Sequence, residues 1–236
     1  ILKLLGVGTI GIPISMVLFQ VGIMNCNASS ASVMFSINPL FTMVCAHLLT
    51  SEKITKQRLA ALTIGIIGLV FIIRPWDVQE GNTVFGAGCL LLAAITFGFY
   101  TVTGKMVSQK IGSVAQAGIS FLLGAAVLLI VIIIMGRPVL EGVTDNIPII
   151  LYTGIFFTGL GYYSYFTSIK LSDATTGSFA FFLKPALAPI IAVIVLRGTI
   201  LWNTIAGIVI ILIASYMNIR FQKRKNNEIK QQLKNK

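Results

Sequence analysis

The chain has 236 residues, of which 56% are hydrophobic and only 11% are charged. Soluble domains carry about 25% charged residues, so this composition excludes a single water-soluble core. The formal net charge of +11 would suit a nucleic-acid surface, but the lysines and arginines lie mainly between or after long apolar segments, which argues against that class. Cys26, Cys45 and Cys89 show neither paired spacing nor a metal motif, so we interpret them as small buried thiols.

Long apolar runs predict eight membrane-spanning helices. Each run has roughly 17 to 25 residues, the length that crosses about 30 Å of hydrocarbon as an α-helix. Short polar turns separate the runs, and the alternating pattern of a membrane β-barrel is absent from the sequence. We therefore expect an all-α membrane protein, a polytopic helical bundle, with helices at about 4–24, 29–49, 57–74, 84–104, 114–135, 148–168, 175–196 and 201–219.

The placement of lysine and arginine predicts which helix ends face the cytoplasm. The loops after the second, fourth and sixth helices, together with the C-terminal tail, carry most of the positive residues, whereas the opposite loops carry only Arg74, Arg137 and Arg197. Positive residues accumulate on the cytoplasmic side of a membrane. We therefore predict a multi-pass protein of the plasma membrane with a basic cytoplasmic tail at 221–236. That tail is expected to fix topology and contact anionic lipid rather than nucleic acid.

The sequence repeats itself at a shift of 146 residues. The segment "NASSASVMFSINPL" aligns with "DATTGSFAFFLKPA", so that Asn38 and Pro39 align with Lys184 and Pro185. Small residues align with small residues over the same stretch. Chance is a poor explanation for this agreement, and we interpret it as an internal duplication.

The two copies cross the membrane in opposite directions under the predicted orientation. Inverted repeats of this kind are an architecture of secondary transporters, with the substrate site near the midplane. We predict an incomplete first repeat at 1–76 and a complete second repeat at 83–220. Completing the first copy requires two helices before Ile1, which makes ten in the natural protein. A chain without them is not expected to transport.

The segment "ASSASVMFSINPLFTMVCAHLLTSEKITKQRLAALTIGIIGLVFI" resembles the second half of an EamA-like domain of the drug/metabolite transporter superfamily. The shared features are the small-residue run, the proline of "NPL", Glu52 after the helix end, and Gly65 and Gly68 in the next helix. The resemblance implies ten helices in two inverted repeats, cytoplasmic termini and movement of small metabolites across the plasma membrane. One departure is Gly198 at the repeat position of Glu52, so the second copy lacks the acidic turn residue usual in the family.

Lys184 is the principal candidate for a functional site. It falls near the middle of an apolar helix, where a lysine costs about 2.5–3.5 kcal/mol on insertion scales. Its side chain is too short to reach water from the centre of a bilayer core about 30 Å thick, so it must face protein or a wet cavity. In the functional interpretation, it binds an anionic part of the substrate or releases a proton when desolvated. In the structural interpretation, it is held by backbone carbonyls, especially that of Phe181, which lacks its usual helical N–H donor because residue 185 is a proline.

Further polar and aromatic side chains are candidates for the same site. Asn38, at the repeat counterpart position, either contacts substrate or makes an interhelical hydrogen bond. Tyr162 and Tyr165 share a helix face that lines the cavity or belongs to an interfacial aromatic belt. Tyr100 and Gln20 complete the predicted substrate-binding set.

Three prolines and one acidic residue have predicted mechanical roles. Pro39, Pro185 and Pro189 are predicted hinges that interrupt their helices, with static kinks as the alternative. Glu52 lies in a predicted cytoplasmic turn, and we interpret it as a capping or ion-pair residue that fixes the next helix.

The predicted function is secondary transport by alternating access. The expected substrate is a small polar metabolite, such as an amino acid, or a drug, and family analogy favours efflux. No Walker-type nucleotide loop, metal motif or cofactor motif is present in the sequence, and we do not expect an enzyme. The alternatives are a membrane-embedded lipid-modifying enzyme, for which the single histidine supplies little chemistry, and a non-transporting scaffold. The expected partners are a small-molecule substrate and the lipid bilayer, not nucleic acid; a homodimer is left open.

Overall fold

The computed structural model describes residues 2–26, 31, 34–50, 52–73, 83–134, 136, 138–139, 143, 146–196 and 202–234. Within these ranges the regular structure is helical. We number the helices α1 Leu2–Met24, α2 Asn38–Leu49, α3 Lys56–Ile73, α4 Val84–Ile111, α5 Ser113–Ile134, α6 Ile147–Leu171, α7 Ala174–Ser178, α8 Ala180–Leu196 and α9 Trp202–Lys234.

The helices confirm the predicted fold class, an all-α membrane bundle. In the part of the chain that the structure describes, four helices are long and apolar enough to cross a membrane, namely α4, α5, α6 and the first part of α9, Trp202–Lys223. Gly11–Met24 and Met34–Leu49 are shorter apolar helical segments. Helix α5 and the first half of α6 expose many large apolar side chains, as expected for surfaces that face lipid.

The structure differs from the predicted helices in four places, the first of which is a break at Ile37 within the predicted helix 29–49. The predicted helix at 175–196 is divided at Phe179 into α7 and α8. Helix α6 contains a π-helical segment, Thr153–Leu160, which its apolar sequence did not indicate. Helix α9 continues through Lys234, so most of the predicted basic tail is an extension of the last helix rather than a separate segment.

Side-chain caps and one glycine set several helix boundaries. The side chain of Thr83 accepts a hydrogen bond from the Gly86 N–H at 3.0 Å and begins α4. Asp173 accepts from the Thr176 N–H at 2.7 Å and begins α7. Such caps satisfy N–H groups that the first helical turn leaves unpaired. Between α4 and α5 the backbone turns at Gly112, whose φ of 91° favours glycine.

Two groups of helices form the bundle. Helix α1 packs against α4 and α5, and α2 also packs against α4. Helix α3 packs against α9, with α8 covering both. A core centred on Phe97, Tyr100 and Phe166 belongs to the first group, and a core that includes Leu62 and Phe182 belongs to the second.

Helices α3 and α9 are repeat counterparts, and they pack in opposite directions. Near one end of the pair, Arg58 of α3 donates to the Gln222 side chain of α9 at 2.8 Å. Toward the other end, Asn203 of α9 donates to the Phe71 carbonyl of α3 at 3.0 Å. Low residue numbers in one helix therefore meet high numbers in the other, and this antiparallel packing agrees with the inverted relation between the two copies.

A glycine contact brings the α3 and α9 backbones together. A Cβ placed on Gly207 would lie 2.6 Å from the carbonyl oxygen of Gly68 and 3.0 Å from the backbone nitrogen of Ile72. Backbone atoms cannot rotate away as a side chain does, so the helices would have to separate to admit even a methyl group. Close approach through small residues is a common way for membrane helices to associate.

Gly207→Ala is expected to lower the free energy of unfolding by about 1–3 kcal/mol, because overpacking at a backbone contact forces α3 and α9 apart. The matched control is Gly88→Ala on α4, where an added Cβ meets no atom within 4 Å. Thermal unfolding in detergent measures both variants. Equal melting temperatures for the two variants would contradict the close contact.

Candidate substrate-binding site

A cavity of about 630 Å³ lies between α1, α4, α6 and α8. Among the residues that the structure describes, the lining is mostly apolar and aromatic, and Lys184 is the one charged residue in it. The lining residues are Met16, Phe19, Ile23, Ala31, Phe35, Ser36, Phe97, Tyr162, Phe181 and Lys184. This volume is within the range of small-molecule sites, which combine apolar walls with a few polar groups.

The Lys184 ammonium lies on the face of an aromatic ring. Its Nζ atom is 4.3 Å from the ring centroid of Phe181, three residues earlier on α8, which is the geometry of a cation–π contact. The side chain is exposed, and no acidic side chain pairs with it among the described residues. Lys184 also lines a second cavity of about 470 Å³ that shares Phe97, Tyr162 and Phe181 with the first.

An aromatic cluster forms the wall around this ammonium group. The Phe97 ring centroid is 5.0 Å from that of Phe181 and 5.6 Å from that of Phe35. Tyr162 lines both cavities, whereas Tyr165 lines only the second of the two and places its hydroxyl 3.0 Å from that of Thr101. The two predicted tyrosines are thus brought beside Lys184.

The remaining predicted substrate contacts lie elsewhere. Tyr100 is completely buried, packs edge-to-face against Phe166, and is outside the lining of both cavities. Gln20 is exposed on α1 and is also outside both linings. The structure therefore does not bring these two side chains together with Lys184.

Asn38 is completely buried and its amide is used within the protein. Its Nδ2 atom donates to the carbonyl of Ala94 on α4 at 2.9 Å, and its Oδ1 accepts from the Thr42 hydroxyl at 3.1 Å. Asn38 is not among the cavity residues. This geometry supports the interhelical alternative for Asn38 and leaves the lysine without its expected polar companion.

The predicted hinge prolines occupy two different kinds of position. Pro39 lies in the first turn of α2, directly after a break at Ile37, where a proline replaces no helical hydrogen bond. Pro185 and Pro189 lie inside α8. Hinge motion at any of the three remains a prediction.

A second polar assembly lies at the end of the bundle where α2 ends. Glu52 accepts from Lys105 at 2.8 Å through Oε1 and from the Thr175 hydroxyl at 3.0 Å through Oε2. The N–H of Ala174, at the start of α7, also donates to Oε1 at 3.0 Å. Arg58 lies 3.7 Å from Glu52 and donates a hydrogen bond to Asp173. The sequence predicted a capping or ion-pair residue that fixes the next helix. Glu52 does form ion pairs, but most of its partners lie in the predicted second copy.

The charge of Glu52 is stabilised by these contacts. Burial alone would raise the pKa of Glu52, but the hydrogen bond and positive charge of Lys105, with the donors of Ala174 and Thr175, bring the pKa below its ordinary value. The carboxylate side chain is only 12% exposed, so solvent screens these interactions weakly. Glu52 is therefore an ionised, buried group at neutral pH.

Comparison with known proteins identifies the architecture. The sequence model of the EamA-like transporter family matches residues 1–74 and 84–220. The chain belongs to the EamA-like transporter family. As a member of that family it is a multi-pass membrane transport protein, in agreement with the resemblance carried by the repeats.

Relatives of this EamA-like transporter span bacteria and plants. An uncharacterized transporter of Clostridium kluyveri is 36% identical over 225 residues, covering 93% of this chain and 72% of that protein. The uncharacterized transporter YoaV of Bacillus subtilis is 26% identical over 225 residues, which are 94% of this chain and 75% of YoaV. A chloroplastic WAT1-related protein of Arabidopsis thaliana is 29% identical over 83% of this chain, which spans about half, 49%, of that protein.

One solved structure shares the fold. A crystal structure of another protein superposes on this chain with a TM-score of 0.78 at 16% sequence identity. The match covers 95% of this chain and 78% of the chain in that crystal structure. At that identity the likeness concerns the fold alone. The helical arrangement around the cavity is therefore one that a solved protein also adopts.

Sequence reasoning missed the phenylalanines that line the cavity of this EamA-like transporter. Phe35 precedes the predicted site residue Asn38 by less than one turn, and Phe181 precedes Lys184 by three residues, so both were adjacent to residues already singled out. The i, i+3 spacing of Phe181 and Lys184 on one helix is a signal for their contact. Phe97 carried no such signal, because its neighbours come from other helices.

Asn38→Ala is expected to reduce the free energy of unfolding by about 1–3 kcal/mol, because it removes a fully buried hydrogen bond between α2 and α4. The matched control is Asn203→Ala, which removes the same kind of amide-to-carbonyl bond at an exposed position and is expected to cost less. Thermal unfolding of both variants in detergent gives the difference. An equal or smaller loss for Asn38→Ala would contradict the structural role.

Acid is expected to remove the stability that Glu52 contributes. Since the pKa of Glu52 is lowered in the folded protein, its contribution is complete above the ordinary glutamate pKa of about 4.3 and is lost as the pH falls through the lowered value. The stability difference between the parent and Glu52→Gln is expected to be about 1.5–3 kcal/mol at pH 7 and to shrink below about pH 4.

Thermal unfolding of both proteins between pH 7 and pH 3 measures this difference. The groups that face Glu52 are Lys105, Arg58, Asp173 and His47, whose Nδ1 lies 3.1 Å from the Glu52 carbonyl oxygen. A difference that does not change with pH would contradict an ionised Glu52.

Proposed function

We propose that this EamA-like protein is a secondary transporter that carries a small metabolite with an anionic group across the plasma membrane by alternating access. The observation that supports this proposal best is Lys184, an ammonium group in an apolar cavity with an aromatic face as its neighbour and no carboxylate partner among the described residues. The cavity lies between helices of both predicted copies, as expected for a substrate site in an inverted-repeat transporter.

The energetics of Lys184 favour a ligand as its missing partner. A cation–π contact contributes about 0.5–2 kcal/mol, which offsets only part of the cost of placing an ammonium group among apolar side chains. An anionic substrate group would supply charge-assisted hydrogen bonds to the free N–H donors. Binding would then neutralise the cavity and favour movement of the loaded site.

The walls of the cavity favour a substrate that also has an apolar, planar part. Phe35, Phe97, Phe181 and Tyr162 present ring faces and edges to the same space. Aromatic amino acids and related carboxylates combine a ring with an anionic group. A protein of Brucella anthropi described as a riboflavin transporter is 36% identical over 66 residues, 28% of this chain and 22% of that protein, and its named substrate is also a planar ring system.

Rocking of the repeats 1–76 and 83–220 against each other would expose the cavity alternately to the two sides. The basic extension of α9 would lie in the cytoplasm, as the distribution of lysine and arginine predicts. Efflux is the direction that family analogy favours. Pro185 and Pro189 inside α8 are the prolines best placed to bend the segment that carries Lys184.

Substrate flux tests the proposal. The full-length gene product is reconstituted into proteoliposomes and assayed for counterflow of radiolabelled aromatic and acidic amino acids. Lys184→Met is expected to raise the half-saturating concentration of the transported probe about 10- to 100-fold, because it removes a charge-assisted contact. Lys184→Arg is expected to retain part of the affinity, since it keeps the charge.

The matched control is Lys110→Met, which removes a lysine that is exposed near the end of α4. It is expected to transport like the parent. Unchanged affinity and rate in Lys184→Met would overturn the role of Lys184 in binding. Phospholipid turnover without flux of any probe would favour the enzyme alternative, and neither activity would favour the scaffold.

A further inference from the structure

The charged assembly around Glu52 lies toward the other end of the bundle from Ile23, a residue that lines the first cavity. The cavity reaches Ile23, near the end of α1, and Ala31 beyond it. The assembly instead includes Lys105, eight residues beyond the cavity residue Phe97 on α4, which is about 12 Å along the helix axis. The assembly is therefore displaced along α4 from the first cavity, whereas the second cavity extends to Ser168 and to Gly177 of α7.

Glu52 joins the two predicted repeats. It belongs to the α2–α3 turn of the first copy, whereas Lys105, Ala174 and Thr175 belong to the second. Each of its carboxylate oxygens accepts hydrogen bonds from donors of that second copy. The helix start at Ala174 is thus tied directly to the turn of the opposite copy.

Arg58 forms a second tie between the copies. It lies in the first turn of α3 in the predicted first copy, and its side chain is 6% exposed. Its guanidinium donates to Asp173, which caps α7, and to Gln222 of α9 at 2.8 Å. Asp173 in turn holds the first turn of α7 through the Thr176 N–H. One buried cluster therefore connects α3, α4, α7 and α9.

We propose that Glu52, Arg58, Lys105 and Asp173 form a latch that closes the end of the transporter predicted to face the cytoplasm. The inference rests on the proposed alternating-access function. Opening that end would pull Glu52 and Arg58 of the first copy away from Lys105 and Asp173 of the second. Breaking a buried ion pair strongly disfavours a state unless water replaces the lost partner, so the latch holds the closed arrangement until the site is loaded.

Cysteine labelling from each side of the membrane tests the latch without a known substrate. The reporter is Met16→Cys, a half-buried position that lines the cavity, in a background where Cys26, Cys45 and Cys89 are alanine. A membrane-impermeant maleimide is added to right-side-out or inside-out vesicles that contain the full-length gene product. The protein with an intact latch is expected to be labelled mainly from the outside.

Glu52→Gln is expected to raise the ratio of the inside labelling rate to the outside labelling rate about 10-fold. The reason is that it removes the charge-assisted hydrogen bonds that favour the closed inner end. Lys105→Met deletes one partner of Glu52 but keeps the Glu52 carboxylate that caps α7. It is therefore expected to raise the same ratio by a smaller factor. The matched control is Lys53→Gln, which removes a charge from the exposed residue adjacent to Glu52 and is expected to leave the ratio unchanged.

The outcomes separate the latch from the proposed transport function. An unchanged ratio in both Glu52→Gln and Lys105→Met, or an equal shift in Lys53→Gln, would overturn the latch. If Glu52→Gln does not reach the membrane, Lys105→Met alone decides. A shifted ratio together with no flux of any probe in the parent would support the latch as a conformational device and count against the substrate proposal.

Discussion

A charge inside an apolar bundle is tolerated only where a partner or water replaces its lost hydration, and this constraint determines where the protein holds its ionic groups. At one end of the bundle, Glu52 and Arg58 meet the requirement through bonds to other helices, and their positions are consequently fixed. In the cavity, Lys184 meets it only in part, through the face of Phe181. The first arrangement suits a structural contact, and the second suits a site that a ligand completes.

The repeat counterparts Asn38 and Lys184 show how a duplicated position can divide its roles. Asn38 bonds Ala94 and Thr42 and holds α2 against α4. Lys184 lies on α8 and projects into open space between helices of both copies. An amide can satisfy its donors and acceptor within a packed interface at little cost, whereas an ammonium group with three donors and no acceptor cannot do so as readily. The two predicted copies therefore place side chains of different chemistry at this shared position.

The helices and the isolated lysine could be predicted because both depend on local sequence. Apolar runs identified the spans, and Lys184 was conspicuous within "FAFFLKPALAPIIAVIV". The break at Phe179 and the π-helical segment of α6 could not be predicted in this way, since their apolar residues are compatible with a regular helix as well. The partners of Glu52 were also beyond reach, because Ala174 and Thr175 are separated from it by 122 and 123 residues. The sequence indicated an acidic residue in a turn, but it did not indicate which of the two predicted copies would supply its hydrogen-bond partners.

Gly198 at the repeat position of Glu52 makes the charged cluster relevant to the whole proposed transport cycle. Where the first copy has Glu52 the second has Gly198, and the counterpart of Arg58 is Thr204, so the duplication did not preserve these charges at the opposite end. Under the proposed latch, the two access states would be unequal in energy even with nothing bound, because Gly198 and Thr204 supply no charges at the repeat positions of Glu52 and Arg58. The empty carrier would then rest facing outward, and its return inward would be the step to which cargo or a membrane gradient contributes work.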